Sequence, residues 1–365
     1  MDEALLSELI EYIERNDVAS VGLGYYGELT LTPGWWRMAN SLADRGVQLT
    51  CTTNCALPWS NEEVSAFARF TDINISVDTH DADVLKRVRK KLDIKTVVYN
   101  HQALRAHCLE AGISGPRVVW SGVLTHYVAP TLVGFVHFAA ANAVSTVHFN
   151  EVGLYEGAPE HGIALIEITD DSDFVVAAEQ VEQAFTVATK LGIALTVAGI
   201  ERIRARRAAI VEGRWFSLDM ALRSSPMAAV MTHNEGNSVP SGYTRACYLP
   251  WSSFYFDPKG QVFACCTRGD VMGTARTRRE LESVIGNEAY RELRRSLATG
   301  VNLDPACATC TIAPLVRVSD FMPAPIRIIS RRPWLRRTVK PIATRLGAMW
   351  LLGWWRKRKA ALASN

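Results

Sequence analysis

Residues 5–198 switch repeatedly between two hydrophobic periods, and this alternation limits the fold more than any other feature of the chain. A helical stripe (Leu5, Leu6, Leu9, Ile10, Ile13) leads into an apolar run at Val18–Gly24. The pairing then recurs. Helices are predicted at Trp36–Arg45, from a Ser60/Glu63 capping box to Phe70, at Ala82–Leu92 and at Thr131–Ala143. Another, opened by Ser172, carries Phe174, Ala177, Ala178, Val181, Ala184, Phe185, Ala188 and Leu191 on one stripe and stops at Gly192. Strands are predicted at Val18–Gly24, Val47–Asn54, Asp72–Asp78, Val118–Leu124, Val147–Val152 and Ile193–Ala198, while Lys95–Asn100 fits either a strand or a continuing helix. Strands alternating with helices of about 10–15 residues give βα units and a parallel sheet, open or closed into a barrel. In both forms ligands meet the loops at the strand carboxyl ends.

The chain has 365 residues and eight cysteines, a length that suggests two domains. No basic n-region opens it, and the apolar run Leu346–Trp355 is too short to span a bilayer. A cytoplasmic location is therefore expected, in which cysteines act as metal ligands or plain thiols. Eleven Lys/Arg and no acidic residue follow Asp320, so the whole-chain charge of +3 leaves the first 320 residues eight charges negative. Four segments are expected: an α/β domain at 1–213, a polar linker at 214–246, a cysteine module at 247–320 and a basic tail at 321–365.

The strongest chemical signal is the cysteine module. Phe254–Phe256 and Gln261–Cys265 read as two short strands joined by the turn Asp257-Pro258-Lys259-Gly260. That hairpin folds Cys265 back toward Cys247. One helix follows, with Leu281, Val284, Ile285, Tyr290, Leu293 and Leu297 on one face and Gly300 at its end; Cys307 and Cys310 then form a C-x-x-C knuckle. Four thiolates in two pairs suit zinc or a [4Fe–4S] cluster. Cys266 adjoins Cys265, and strand alternation lets only one of them face the metal.

Cys247, twelve residues, Gly260, four residues, Cys265 and a distal C-x-x-C resemble the SPASM and twitch auxiliary-cluster domains of radical S-adenosylmethionine (SAM) enzymes. No cysteine follows Cys310, so the resemblance implies one auxiliary cluster. The first domain is similar to the partial (β/α)6 barrel of the same superfamily. Its stretch GYYGELTLTP resembles a Gly-Gly-Glu-Pro segment that meets the SAM amine, with Gly27 and Glu28 matching. Thr52-Thr53-Asn54 resembles a Thr-Asn-Gly strand ending, with Cys55 where glycine is usual. NISVD resembles the strand whose Ser and Asp, here Ser76 and Asp78, lie near the SAM ribose; in LKRVR, Arg89 corresponds to an Arg that reaches the SAM carboxylate. The resemblance thus implies cofactor contacts from Gly27, Glu28, Asn54, Ser76, Asp78 and Arg89, and metal ligation by Cys247, Cys265, Cys307 and Cys310.

Radical SAM chemistry also needs a C-x-x-x-C-x-x-C cluster, placed before the helix at Leu5–Ile13. The chain begins at Met1 without it, so the expected fold is a barrel lacking its first strand. A misplaced start, a true truncation and a complementing partner are the three explanations, and in each the chain alone is expected to be inactive. A second cluster is expected only with an N-terminal extension. The implied substrate is a peptide or a small sugar or aminocyclitol, with an electron donor if the protein is active. Catalytically inactive scaffold and zinc-knuckle readings remain alternatives. The tail, with Trp334, Trp350, Trp354 and Trp355 among basic residues, fits contact with an anionic membrane surface. Nucleic acid is not an expected partner, because the body is acidic and carries no recognition motif.

Overall fold

The computed structural model describes residues 3–24, 27–152, 163–214, 216, 239–265, 269–308, 310 and 313–321. The basic tail, most of the linker and Cys266 lie outside these residues. The described residues form two compact units: the first takes those up to 216 together with Asp257–Lys259 and Arg276–Arg278, and the second, smaller one takes the rest from 239 onward.

The first unit follows the expected alternation. Its elements are α1 (Glu3–Arg15), β1 (Ser20–Leu23), α2 (Trp35–Ala43), β2 (Gln48–Thr53), α3 (Asn61–Phe67), β3 (Asp72–Ser76), α4 (Ala82–Val88), α5 (Ile94–Glu110), β4 (Arg117–Leu124), α6 (Leu132–Ala141), β5 (Thr146–Glu151), α7 (Asp171–Leu191), β6 (Ala194–Val197) and α8 (Ile200–Val211). The six strands pair in parallel in the order β1-β2-β3-β4-β5-β6. This is an α/β fold with the βα connectivity of a partial barrel. Lys95–Asn100 belongs to α5, which Asp93 caps by accepting from the Lys95 N–H.

Local chemistry accounts for the element ends. Ser60 and Glu63 form the expected capping box at α3. At α7 the cap is Asp170, not Ser172. Its carboxylate accepts from the Ser172 and Asp173 N–H groups, and a charged acceptor two residues earlier displaces the hydroxyl. Gly192 closes α7 with φ +69°. Leu191, expected on the buried stripe, is exposed because it falls in the last turn beside that cap.

The two faces of the sheet differ. Leu49, Cys51, Ile73, Ile75, Val147 and Phe149 are buried in one core with Trp35, Phe67, Phe135 and Phe174 from the helices. Their alternates on the other face, Thr50, Thr52, Asn74, Ser76, His148 and Thr196, are polar and half-buried or exposed. Period-two alternation therefore gives a dry helix-facing side and a polar side.

The second unit contains β7 (Tyr243–Arg245), α9 (Leu249–Ser252), β8 (Tyr255–Phe256), β9 (Gln261–Phe263), β10 (Gly273–Thr274), α10 (Arg278–Ile285), α11 (Glu288–Thr299), α12 (Pro305–Ala308) and β11 (Leu315–Arg317). The hairpin β8–β9 is present and β10 adds a third strand to it. β7 pairs antiparallel with β11. The single helix expected over 281–297 is two helices. Asn287 breaks it, with its side-chain oxygen capping α11 through the Tyr290 N–H at 2.9 Å and its amide donating to Met272 O at 2.8 Å.

Candidate functional site

At the carboxyl end of the sheet, Glu28 ties the loop after β1 to the end of β2. Its Oε1 accepts from Thr53 Oγ1 at 2.6 Å and Thr30 Oγ1 at 3.0 Å, and its Oε2 from the Asn54 N–H at 2.7 Å. Gly27, just before it, is exposed with φ +109° and has nothing within 4 Å of a would-be Cβ. A ligand can therefore reach the backbone there. Asn54 closes its own turn, its Oδ1 accepting from the Ala56 N–H at 3.0 Å.

Cys55 has φ +55°. The left-handed conformation suits glycine, which gives the usual glycine at this position a backbone reason. The Cys55 thiol is fully buried, 3.2 Å from Asn100 Nδ2. Asn100 also accepts from the Trp59 N–H at 2.9 Å and donates to Leu57 O at 2.8 Å, so it fixes the whole 55–59 loop. Burial pushes the Cys55 thiol up to about 12, and burial followed by the Glu28 charge raises Cys51 further.

Asp78 is 3% exposed. It accepts from the Val123 N–H at 2.7 Å, joining the ends of β3 and β4, and pairs with the Arg89 guanidinium. Gly122 permits this seat: a Cβ there would come within 2.8 Å of Asp78 Cα and 3.0 Å of Val77 O. Ser76 lies half-buried on the polar face, in register with Ser121. Further along that face His148 bridges two strands, with Nδ1 2.7 Å from Thr196 Oγ1 and Nε2 3.0 Å from Asn150 Oδ1.

The mouth thus brings Glu28 and Asn54 into one hydrogen-bonded group, with Gly27 next to it in the chain, and pairs Asp78 with Arg89. Thr53, Asn100, Gly122 and His148 do not stand out in the sequence. Each reads there as an ordinary strand or helix residue, because its role depends on a partner 25 to 48 positions away.

In the second unit Cys247, Cys307 and Cys310 are half-buried and Cys265 is buried. Among the described residues no three His, Cys, Asp or Glu side chains are grouped to hold a single metal ion. What joins Cys247 to the knuckle is Arg245, which is 2% exposed. Its Nη2 and Nε donate to Ala308 O at 2.7 and 3.1 Å, and its Nη1 to Ala313 O at 3.2 Å. The Cys247 N–H donates to Arg245 O at 2.7 Å, and the Cys310 N–H to Cys307 O at 3.3 Å. Burial lowers the Arg245 pKa, and the Cys310 and Cys307 sulfurs oppose that shift.

All hydrogen bonds of Arg245 among the described residues go to carbonyls. A buried cation met by carbonyls alone is costly and calls for an anion. Four thiolates outweigh the positive charge of an iron–sulfur core, so a cluster held here would be such an anion. The donor set fits the group.

Residues 247–311 match SPASM, an iron–sulfur cluster-binding domain. Over these residues the chain is similar to that domain. No curated protein matches the chain. Among solved structures, SuiB of Streptococcus suis aligns over 79% of this chain and 60% of its own at 17% identity, with a TM-score of 0.48. Native anSMEcpe with bound AdoMet aligns over 80% and 73% at 13% identity, TM-score 0.49. BtrN in an open conformation aligns over 85% and 79% at 11% identity, TM-score 0.32. The chain spans about 60% of the length of SuiB.

Proposed function

We propose that the chain is an iron–sulfur protein of the radical SAM/SPASM kind, in which Cys247, Cys265, Cys307 and Cys310 hold one [4Fe–4S] cluster and the sheet mouth takes S-adenosylmethionine. The observation that carries this reading is the SPASM match over 247–311, reinforced by the buried Arg245 charge beside the thiols. Such a cluster supplies one-electron chemistry or a point of substrate attachment.

The chain's own residues have definite tasks in this reading. Gly27 leaves backbone open to a ligand amine, and Glu28 holds the loop and the β2 end in place. Asp78 orients Arg89, whose guanidinium is partly exposed and suits a carboxylate. Ser76 and Asn74 on the polar face suit ribose hydroxyls. The substrate class is a peptide or a sugar or aminocyclitol, modified by hydrogen abstraction with a 5′-deoxyadenosyl radical. That reaction requires a second cluster. These 365 residues contain no C-x-x-x-C-x-x-C, so by themselves they are expected to bind but not cleave S-adenosylmethionine.

Anaerobic reconstitution with iron and sulfide, followed by metal analysis and calorimetry with S-adenosylmethionine, tests the reading. About four irons per chain and saturable binding are expected. Zinc with no iron defeats the cluster assignment; iron without S-adenosylmethionine binding leaves an iron–sulfur scaffold and defeats the mouth assignment.

A further inference from the structure

Arg245 is not among the residues the resemblance singles out, yet it is the most deeply committed charged group of the second unit. It sits two residues before Cys247, on β7, opposite Leu315 of β11. Its guanidinium crosses to the segment between Cys307 and Cys310 and holds Ala308 O with two donors, then reaches Ala313 O with a third. One planar fork therefore fixes the knuckle relative to the strand that delivers Cys247. Lysine, with a single point of charge, has no equivalent reach to carbonyls on both sides.

Building a cation into this position has a second consequence. The guanidinium is nearly inaccessible to water, so its field is weakly screened. Reduction adds an electron to whatever anion the thiols hold, and a fixed positive charge favours the reduced state.

We propose that Arg245 is a positioning residue for the auxiliary cluster: it clamps the Cys307–Cys310 knuckle to the Cys247 strand, and its charge raises the cluster's reduction potential. This rests on the reading that the four cysteines hold a [4Fe–4S] cluster.

The test uses the full chain, as wild type, Arg245→Gln and Arg245→Lys, reconstituted anaerobically. Iron content, far-UV circular dichroism, the midpoint potential from a dithionite titration and the rate of iron loss to a chelator are measured. Wild type is expected to hold about four irons. Arg245→Gln is expected to shift the reduction equilibrium at least tenfold toward the oxidised state, about 59 mV for one electron. Arg245→Lys is expected to keep the wild-type potential but lose iron about tenfold faster, since it retains the charge and not the fork. A folded, loaded Arg245→Gln protein with wild-type potential overturns the electrostatic role. Iron retention in Arg245→Lys equal to wild type overturns the clamp. Should Arg245→Gln fail to load, the lysine variant decides: loading at the wild-type potential supports the proposal, and failure to load overturns it. Wild type without iron is a different result, which removes the parent reading itself.

Discussion

His101 offers the most direct quantitative check on the packing of the sheet domain. It lies on α5, 2% exposed, with its ring 5.7 Å from that of Trp120, and the Asn142 backbone is the one polar group that favours its charged form. Burial, helped by the charge of Arg105, pushes its pKa from 6.5 down to about 4. The folded state therefore keeps the ring neutral over a range in which the unfolded chain protonates it. Stability from this group is complete above about pH 6.5, falls as the pH drops toward 4, and is level below that. The unfolded state binds more protons throughout this window, so stability must rise with pH. With pKa values of 6.5 and about 4, the loss is roughly 2 kcal/mol at pH 5 and 3 kcal/mol at pH 4.

The perturbation is His101→Phe, which keeps a planar ring beside Trp120 and removes the titration. Urea melts of wild type and variant at pH 7.5, 6, 5 and 4, followed by tryptophan fluorescence, give the difference in unfolding free energy at each pH. Every other titrating group cancels in that difference. The gap should move in favour of the variant by about 2 kcal/mol between pH 7.5 and 5. A gap that stays constant within about 0.5 kcal/mol would show that His101 is hydrated or paired in solution, and the burial argument would be wrong.

Two further predictions concern the mouth. Glu28→Gln keeps one carbonyl acceptor for the Asn54 N–H and an amide that the two threonine hydroxyls can accept from, so a loss of about 1 kcal/mol is expected. Glu28→Ala strands those donors and should cost about 3 kcal/mol, near 6–12 °C in thermal melting; equal melting of the two variants refutes the clamp. In the iron-free protein at pH 8, iodoacetamide and peptide mapping should find Cys247, Cys307 and Cys310 modified and Cys55 untouched. A thiol pushed up to about 12 is only about one part in 10⁴ thiolate at that pH; rapid labelling of Cys55 in the folded chain contradicts its burial.

The sheet was legible in the sequence because its signal is local. Six apolar runs separated by helical stripes are enough to order β1 to β6, and Ser60/Glu63 and Gly192 mark ends that the backbone respects. The mouth was half legible. Glu28 and Asn54 can be found at strand ends, but that one accepts the other's N–H becomes visible only in three dimensions. Arg89 and Asp78 likewise read as independent candidates, whereas the structure pairs them, so a change in one carries into the other. Asn287, a cap hidden inside a continuous amphipathic stripe, was not legible at all: the stripe runs on through the break. Arg245 was missed because an arginine two residues from a cysteine has no distinguishing local pattern; its meaning comes from carbonyls more than sixty residues away.

The pair Cys51 and Cys55 shows how spacing and chemistry separate. Their C-x-x-x-C spacing matches the opening of a cluster motif, and no other cysteines here have it. A cluster ligand must be a thiolate, which needs neighbouring positive charge or solvent. Cys51 lies inside β2 on the dry face of the sheet, next to the Glu28 charge, and Cys55 is sealed beneath the 55–59 loop by Asn100. Both environments favour the neutral thiol. Cys307 and Cys310 are half-buried and lie near the Arg245 guanidinium, which has no carboxylate partner among the described residues. Letter spacing alone therefore does not make a cluster site of Cys51 and Cys55, because burial beside a carboxylate holds a thiol in its neutral form.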